Sequence, residues 1–302
     1  MLVDKTDLVI LRHLEHAGRW FDPLPKQLGL SLDEIMKRIK NMEDERVISD
    51  YKASIFVPPF LGGDWVWGCI LANASNREKA VAYILQRIPF VSEIWYNANI
   101  PPNLGHNFSL VFYSKDFDAE IKFLKEISEI TYLEAYRITD FAFPIARVFS
   151  SEENLLLKTI FTHPTADSVK LAELCLKDIK WVEAKLEKLI WTPQNSDGVI
   201  SVLPEIYYKR LENFCHTHFI LELNDNPELL FDEFKTLGFE IVLDGRPFQG
   251  RYIQLEADTW GFNDLLIKRA ILEKHRETKL AGIVIAEEMR VCTDWGLKLV
   301  SN

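Results

Sequence analysis

Two histidines in close succession carry the most concentrated chemistry in the sequence. His216 and His218 lie in a segment of strand-like composition, and alternate residues of a strand point to the same face. Two imidazoles on one face can ligate a metal together if a third ligand is near. Cys215 points to the opposite face, and no carboxylate follows at ligand spacing. Because structural metal sites usually show four ligands at recognisable spacing, we expect neither a metal nor a cofactor.

Other chemical signatures are missing from the sequence. There is no Gly-x-x-x-x-Gly-Lys loop and no Gly-x-Gly-x-x-Gly loop, so no nucleotide-binding motif is present. Four scattered cysteines show neither paired metal spacing nor a disulfide framework; they are Cys69, Cys175, Cys215 and Cys292. The acidic runs at 43–45 and 287–288 are typical of solvated faces. We therefore expect a protein that is not an enzyme.

Polar side chains at helical spacing near the start of the chain suit nucleic-acid recognition. A short helix is predicted over 24–28, and Gly29 can adopt the positive φ that ends it. Ser31 and Glu34 then have the spacing of a capping box that begins a second helix. A β-branched, extended segment, Val47-Ile48-Ser49, follows. Helix, tight turn, helix and strand is the order of a winged helix-turn-helix, whose second helix enters the major groove of DNA.

The second helix of this segment has two contrasting faces. Ile35, Ile39 and Met42 recur at helical spacing and form an apolar stripe. The opposite face carries side chains that hydrogen-bond phosphates or base edges. The predicted DNA-contacting residues are Ser31, Asp33, Lys37, Arg38, Lys40, Asn41 and Lys52, the last on the wing.

Charge limits this interpretation. The 302-residue chain has a net charge of −10, and residues 1–50 hold eight Lys or Arg against ten Asp or Glu. Non-specific affinity for DNA comes from neutralising phosphates. Binding must therefore depend on the local placement of a few basic side chains, and it should be weak and sensitive to salt.

The residues before this segment complete a family resemblance. Leu8, Leu11 and Leu14 predict a first helix that packs on the helix pair. With the Leu-Gly-Leu-Ser turn at 28–31 and the Arg-Ile-Lys-Asn-Met-Glu run at 38–43, the segment resembles the N-terminal domain of the Lrp/AsnC transcription regulators. The resemblance implies a sequence-specific regulator that binds double-stranded DNA.

The chain also repeats itself. Val182, Leu186 and Leu189 follow Ile35, Ile39 and Met42 at a constant separation of 147 residues, a self-similarity that indicates duplication. Asp178 takes the place of Ser31, and both residue types are good N-caps. The second copy is weaker as a DNA reader, because its outward face carries Lys180, Ala184, Glu187 and Lys188.

Each copy continues with the same predicted order, β-α-β-β-α-β, which is a ferredoxin-like unit and the effector domain that the resemblance implies. The fold class is therefore α+β, with two winged helix-turn-helix domains alternating with two ferredoxin-like domains. The predicted boundaries are 1–57, 64–148, 151–208 and 213–302, with the seam between the copies near 149–151. Family members ordinarily dimerise through their effector sheets, so the tandem chain resembles a covalent pseudo-dimer that can associate further.

The resemblance also implies a small-molecule effector site near the turn between the two middle strands. The corresponding residues are Asn103, Gly105, His106, Gly250 and Arg251. The family's Gly-Asp/His-x-Asp turn is only partly kept, because Gly105 and His106 lack the later acid and Gly250 precedes an arginine. A plain hairpin turn is the alternative.

Two further functions remain open. Siroheme decarboxylases resemble Lrp/AsnC proteins and work as paired subunits, which a fused pair imitates, although neither copy shows the basic cluster that an acid-rich tetrapyrrole favours. A protein-interaction module without DNA affinity is the other alternative, and the acidity favours it. No signal peptide or membrane-spanning run is evident, so a cytoplasmic protein without a membrane partner is expected.

Strand alternation gives one last expectation. Trp65, Trp67 and Cys69 correspond to His216, His218 and Ile220 at a separation of 151 residues. These residues face away from the predicted helices of their own copies. We therefore expect the tryptophan face and the histidine face to meet across the internal pseudo-twofold.

Overall fold

The structure is a computed structural model that describes residues 1–18, 23–98, 105–138, 143–192, 195–223, 228–246 and 251–300. It is a mixed α+β protein. The helices are α1 (Lys5–Ala17), α2 (Pro23–Leu28), α3 (Leu32–Asp44), α4 (Pro58–Leu61), α5 (Arg77–Arg87), α6 (Phe117–Glu126), α7 (Ser151–Thr162), α8 (Ser168–Cys175), α9 (Ile179–Leu189), α10 (Glu228–Thr236), α11 (Gly261–Lys274) and α12 (Asp294–Leu299). The strands are β1 (Ile48–Ile55), β2 (Val66–Ala74), β3 (Val91–Asn97), β4 (Phe108–Ser114), β5 (Ile130–Ile138), β6 (Ile200–Ile206), β7 (Cys215–Leu223), β8 (Glu240–Arg246), β9 (Arg251–Thr259) and β10 (Thr278–Val291). Among the described helices, none has the length and apolar character needed to cross a membrane.

The chain divides into two compact units, each built from both copies of the repeat. Unit 1 comprises residues 1–65, 142–207 and 290–302, and unit 2 comprises residues 66–141 and 208–289. Residues 142–148 and 290–302, which the sequence assigned to the effector segments, belong to unit 1. The division of the chain into four domains at the predicted boundaries stays a prediction.

Unit 1 begins with the helices predicted from the apolar stripe. Ser31 caps α3, where the backbone N–H of Glu34 donates to Ser31 Oγ over 3.3 Å and Ser31 N–H donates to Glu34 Oε2 over 2.9 Å. Gly29 has φ +67°, and Ile35, Ile39 and Met42 are buried. The predicted cap, turn and stripe are therefore confirmed.

The second copy repeats this arrangement in unit 1. Asp178 caps α9 by accepting from the backbone N–H of Lys180, and Val182 and Leu189 are fully buried. Strands β1 and β6 pair in antiparallel fashion, with Ala53 opposite Val202. The two copies thus share one ladder in unit 1.

Unit 2 holds two runs of β-α-β-β-α-β, from β2 to β5 and from β7 to β10. Its strands follow the order β10-β3-β4-β2-β5-β8-β9-β7, and β7 also pairs with β10, so the eight strands form a closed ring. The ring joins the halves where β5 meets β8 in antiparallel register. Closure leaves no free edge among these strands, which removes a template for aggregation.

The two faces of each half separate as strand alternation predicts. In the second half Phe219 packs with Phe234 of α10 and Leu272 of α11 in one buried cluster. In the first half a Cβ on Gly68 would lie 2.5 Å from the ring of Phe117, the first residue of α6. These residues are the helix-facing layer of unit 2.

The opposite faces of the two halves pack against each other. Cys69 and Leu71 from β2 form one buried cluster with Ile220 from β7 and Val284 from β10, and Trp67 packs against it. The predicted meeting of the tryptophan and histidine faces is confirmed for these residues. Trp65 departs from the prediction, because β2 begins at Val66 and the indole N–H of Trp65 donates to the carbonyl of Gly62 over 2.9 Å.

Candidate active site

Two buried imidazoles lie in contact on β7 in unit 2. The Nε2 atoms of His216 and His218 are 2.7 Å apart, and the residues are 3% and 6% exposed. Strand alternation places both rings on the face that packs against the first half. Only one of the two rings can donate its N–H in such a contact.

Two residues of β9 complete a chain of polar contacts. The side-chain amide nitrogen of Gln254 contacts Nδ1 of His218, and His216 Nδ1 lies 3.8 Å from Glu256 Oε1. In the tautomer in which Gln254 donates to Nδ1, His218 carries its proton on Nε2 and can donate it to His216 Nε2. In that tautomer His216 carries its proton on Nδ1, which faces the Glu256 carboxylate, and Glu256 is 1% exposed.

Aromatic rings line the histidine pair. The Tyr208 ring stacks on the His216 ring with centroids 4.2 Å apart, and the Trp95 centroid lies 5.9 Å from His216 and 5.7 Å from His218. Tyr208 opens a 3₁₀ turn whose next residues, Lys209 and Arg210, are exposed. Stacked rings hold the imidazoles in place, and the turn adds two positive charges close in the chain.

Glu256 corrects the expectation drawn from the histidine pair. The sequence predicted no carboxylate at ligand spacing, yet the register of β7 and β9 places Glu256 directly opposite His218. One ligand atom from each of His216, His218 and Glu256 lies within 4.8 Å of the others. The structure therefore places a carboxylate beside the histidine pair that spacing along the chain did not reveal, and the absence of a metal stays a prediction. The missed signal is a cross-strand pair 38 residues apart in the chain.

A second polar cluster surrounds Glu134 on β5. The hydroxyls of Tyr132 and Tyr136 each donate to a different oxygen of this carboxylate, and His106 Nε2 lies 3.9 Å from Glu134 Oε2. Burial raises the pKa of Tyr132 to about 12, with a smaller contribution from Glu134. Burial also lowers the pKa of His106. The cluster thus keeps neutral phenols and a neutral imidazole around one carboxylate.

The predicted effector residues have varied positions. Gly105 accepts a hydrogen bond from the Asn73 amide at 3.0 Å and forms a bridge with Ile283. His106 is 3% exposed and stacks on Tyr132. Arg251 begins β9, whereas Asn103 and Gly250 lie outside the described residues. Their effector role stays a prediction.

The predicted DNA-contacting residues are in unit 1, and three of their cations pair with carboxylates. Arg38 contacts Asp7 at 2.7 Å and Asp4 at 2.9 Å, which links α3 to the start of α1. Lys40 contacts Asp44 at 2.8 Å and Lys52 contacts Glu205 at 3.4 Å. Ser31 is the N-cap of α3, and the exposed members of the set on this helix include Asp33, Lys37 and Asn41.

Comparisons with known proteins give structural neighbours only. No family model matches the chain, and no curated protein matches it. A crystal structure of the siroheme decarboxylase NirDL aligns with a TM-score of 0.48 and 8% identity, covering 98% of this chain and 97% of that one. The same enzyme with an iron-uroporphyrin III analogue aligns with a TM-score of 0.46 and 11% identity, covering 98% of each chain. AsnC of E. coli aligns with a TM-score of 0.27 and 24% identity, covering 49% of this chain and 99% of its own.

These neighbours correct one expectation. The sequence predicted a protein that is not an enzyme, and the full-length matches to siroheme decarboxylase contradict that prediction. AsnC of E. coli and LrpC of B. subtilis each align over about half of this chain.

Proposed function

We propose that unit 2 carries an enzyme active site in which His216 and His218 bind a substrate carboxylate and transfer a proton. The observation that carries the proposal is the convergence of two buried Nε2 atoms on one point, 2.7 Å apart. When the two rings move apart and both Nε2 atoms carry a proton, a carboxylate oxygen can accept a hydrogen bond from each imidazole. Charge-assisted hydrogen bonds of this kind are about twice as strong as neutral ones.

The neighbouring groups suit proton transfer. Glu256 faces Nδ1 of His216 and stabilises the imidazolium that forms when His216 takes a second proton. Gln254 holds the orientation of the His218 ring through Nδ1. A base oriented by a buried acid is the general arrangement of catalytic histidines.

Decarboxylation is the reaction class that we assign to this pair. The bond from carbon to the carboxyl group breaks, CO₂ leaves, and the electron pair remains on carbon. That carbon must then gain one proton, which an imidazolium N–H supplies. Solvent afterwards returns a proton to the imidazole. Positioned proton transfer of this kind contributes about 10²- to 10⁴-fold to a rate.

Siroheme is the substrate that we assign, following the activity named for the decarboxylase structures to which this chain is similar. Its peripheral carboxylates require positive charge, which the chain as a whole lacks at −10. Lys209 and Arg210 follow Tyr208, which stacks on His216, and they offer local cations for this purpose, although Lys209 also pairs with Glu288 at 3.6 Å. We expect charge reversal of both to raise KM with little change in kcat, because they bind ground state and transition state alike.

The experiment is anaerobic incubation of the untagged full chain with siroheme, followed by mass spectrometry of the tetrapyrrole. We expect successive losses of CO₂ with wild type, and a rate at least about 10²-fold lower with His216→Ala. His275→Ala is the matched control, since His275 also faces a carboxylate, Glu233, at 3.5 Å but lies on another element. Unchanged siroheme with wild type, or an unimpaired His216→Ala protein, would contradict the proposal.

DNA binding by unit 1 is a second candidate, favoured by the exposure of Lys37 and Asn41 opposite the buried stripe of α3. The paired states of Arg38, Lys40 and Lys52 weigh against it. We expect Lys37→Glu with Lys40→Glu to abolish a salt-sensitive gel shift, and Lys180→Glu with Lys188→Glu to matter less. Equal losses of DNA binding in the two double variants would contradict the assignment of DNA recognition to the first copy.

A further inference from the structure

We propose that His216, His218 and Glu256 form a binding site for one divalent transition-metal ion of the Zn²⁺ class. One ligand atom from each residue lies within 4.8 Å of the others, and the two Nε2 atoms point at each other. The proposal goes beyond the proposed function, because it requires no particular substrate.

Strand geometry presents the three ligands together. His218 and Glu256 are directly opposed on β7 and β9, and His216 lies two residues along the same face. All three are buried, so their rotamers are restricted by packing. Ligands on paired strands are held more firmly than ligands on loops.

The donor set matches known metal chemistry. Two imidazoles and a carboxylate are the ligands of open zinc sites, in which water or substrate takes the fourth position. Tetrahedral bonds of 2.0–2.1 Å place two ligating nitrogens about 3.3 Å apart, so the rings need to separate by less than 1 Å from their present contact. Imidazole ligands favour Zn²⁺, Cu²⁺ or Ni²⁺ over Mg²⁺ or Ca²⁺.

The surrounding groups also fit an ion. A ligating histidine usually bonds through its other ring nitrogen to a second residue that fixes its orientation, and Gln254 contacts Nδ1 of His218 in this way. With the metal bound, the amide oxygen of Gln254 faces that Nδ1–H, which requires only a flip of the amide. Glu256 is 1% exposed, and its carboxylate lies 3.8 Å from His216 Nδ1, so a third ligand is present beside the two rings.

A bound ion has one consequence that rests on the proposed function. The metal occupies the lone pair of each Nε2, so neither ring can donate a proton from that atom. We therefore expect the metal-loaded protein to lose the proposed decarboxylase activity and the chelator-treated protein to retain it.

The test uses the untagged full chain after treatment with a chelator. We expect calorimetric titration with Zn²⁺ to show one equivalent per chain, and Co²⁺ to give the intense visible bands of four-coordinate cobalt. His216→Ala and His218→Ala should each weaken Zn²⁺ binding by at least about 100-fold, while His275→Ala should leave it unchanged. Circular dichroism tests whether each variant is folded. If His218→Ala does not fold, His218→Gln is used in its place.

Two outcomes would overturn the metal proposal: the absence of four-coordinate Co²⁺ bands in wild type, or undiminished Zn²⁺ binding by a folded His218 variant. Siroheme turnover without Zn²⁺ binding contradicts the metal site alone. Zn²⁺ binding by a protein that never acts on siroheme supports the metal site and contradicts the proposed function alone.

Discussion

The two halves of unit 2 use equivalent positions for different purposes. In the first half, Trp67 on β2 is opposite Tyr113 on β4, and the two rings stack with centroids 6.2 Å apart. In the second half, the equivalent cross-strand pair is His218 and Glu256. The same register therefore holds an aromatic pair in one half and an ionisable pair in the other. At these positions the first half thus places packed aromatic rings, whereas the second half places ionisable groups.

The helix-facing layers differ as well. Phe219 of β7 fills this layer in the second half, whereas the equivalent residue of β2 is Gly68. A ring from α6, that of Phe117, occupies the space above Gly68. Each half thus places one aromatic ring at this position, but one ring comes from a strand and the other from a helix.

The largest effect on stability should follow from removing the ring of Phe219 on β7. Phe219→Ala is expected to lower the free energy of unfolding by about 3–5 kcal/mol, because the side chain is fully buried among Phe234 and Leu272. Urea denaturation of the full chain measures the loss. A loss below about 1 kcal/mol would mean that the second half does not depend on this ring.

A smaller effect is expected from adding a methyl group in the first half. Gly68→Ala would bring a Cβ to 2.5 Å from the Phe117 ring and 3.0 Å from the Phe112 ring. Overpacking of this kind costs about 1–3 kcal/mol. Phe117→Leu in the same background should recover part of the loss, and no recovery would show that the two residues do not compete for this space.

The sequence predicted much of this comparison. Strand alternation predicted which residues face the helices and which face the other half, and the capping residues predicted where α3 and α9 begin. Glu256, Trp95 and Tyr208 were missed as partners of the histidines. Their positions depend on strand register and on packing between distant segments, which for Trp95 lie more than 100 residues from the histidines along the chain. Periodicity within one segment carries no information on register or on such packing.

A pH effect distinguishes the histidine of the first half. Burial lowers the pKa of His106, against a smaller opposing effect of Glu134. As the pH is lowered through the unfolded-state pKa of about 6.5, the unfolded chain binds a proton at this imidazole more readily than the folded chain does. The free energy of unfolding therefore decreases as the pH is lowered. We expect His106→Gln to flatten this fall between about pH 7 and pH 5, measured by urea denaturation. An unaltered slope would contradict the assignment to His106.

The smallest effect concerns thiol reactivity on the inner face of the first half. Burial raises the pKa of Cys69 to about 12, with a further contribution from Glu93. The thiolate is the reactive form, so alkylation of native Cys69 at pH 8 should be negligible and should become complete in denaturant. Peptide mapping after brief iodoacetamide treatment measures this. Rapid labelling of the native protein would show that the inner face is open to solvent.

One assay can compare the equivalent positions His218 and Trp67 directly. Metal-free wild type, His218→Ala and Trp67→Ala are incubated anaerobically with siroheme, and CO₂ loss per folded molecule is measured by mass spectrometry. We expect a loss of about 10²-fold or more for His218→Ala and a change of only a few-fold for Trp67→Ala. Equal rates in the His218→Ala and Trp67→Ala proteins would contradict the assignment of chemistry to the second half.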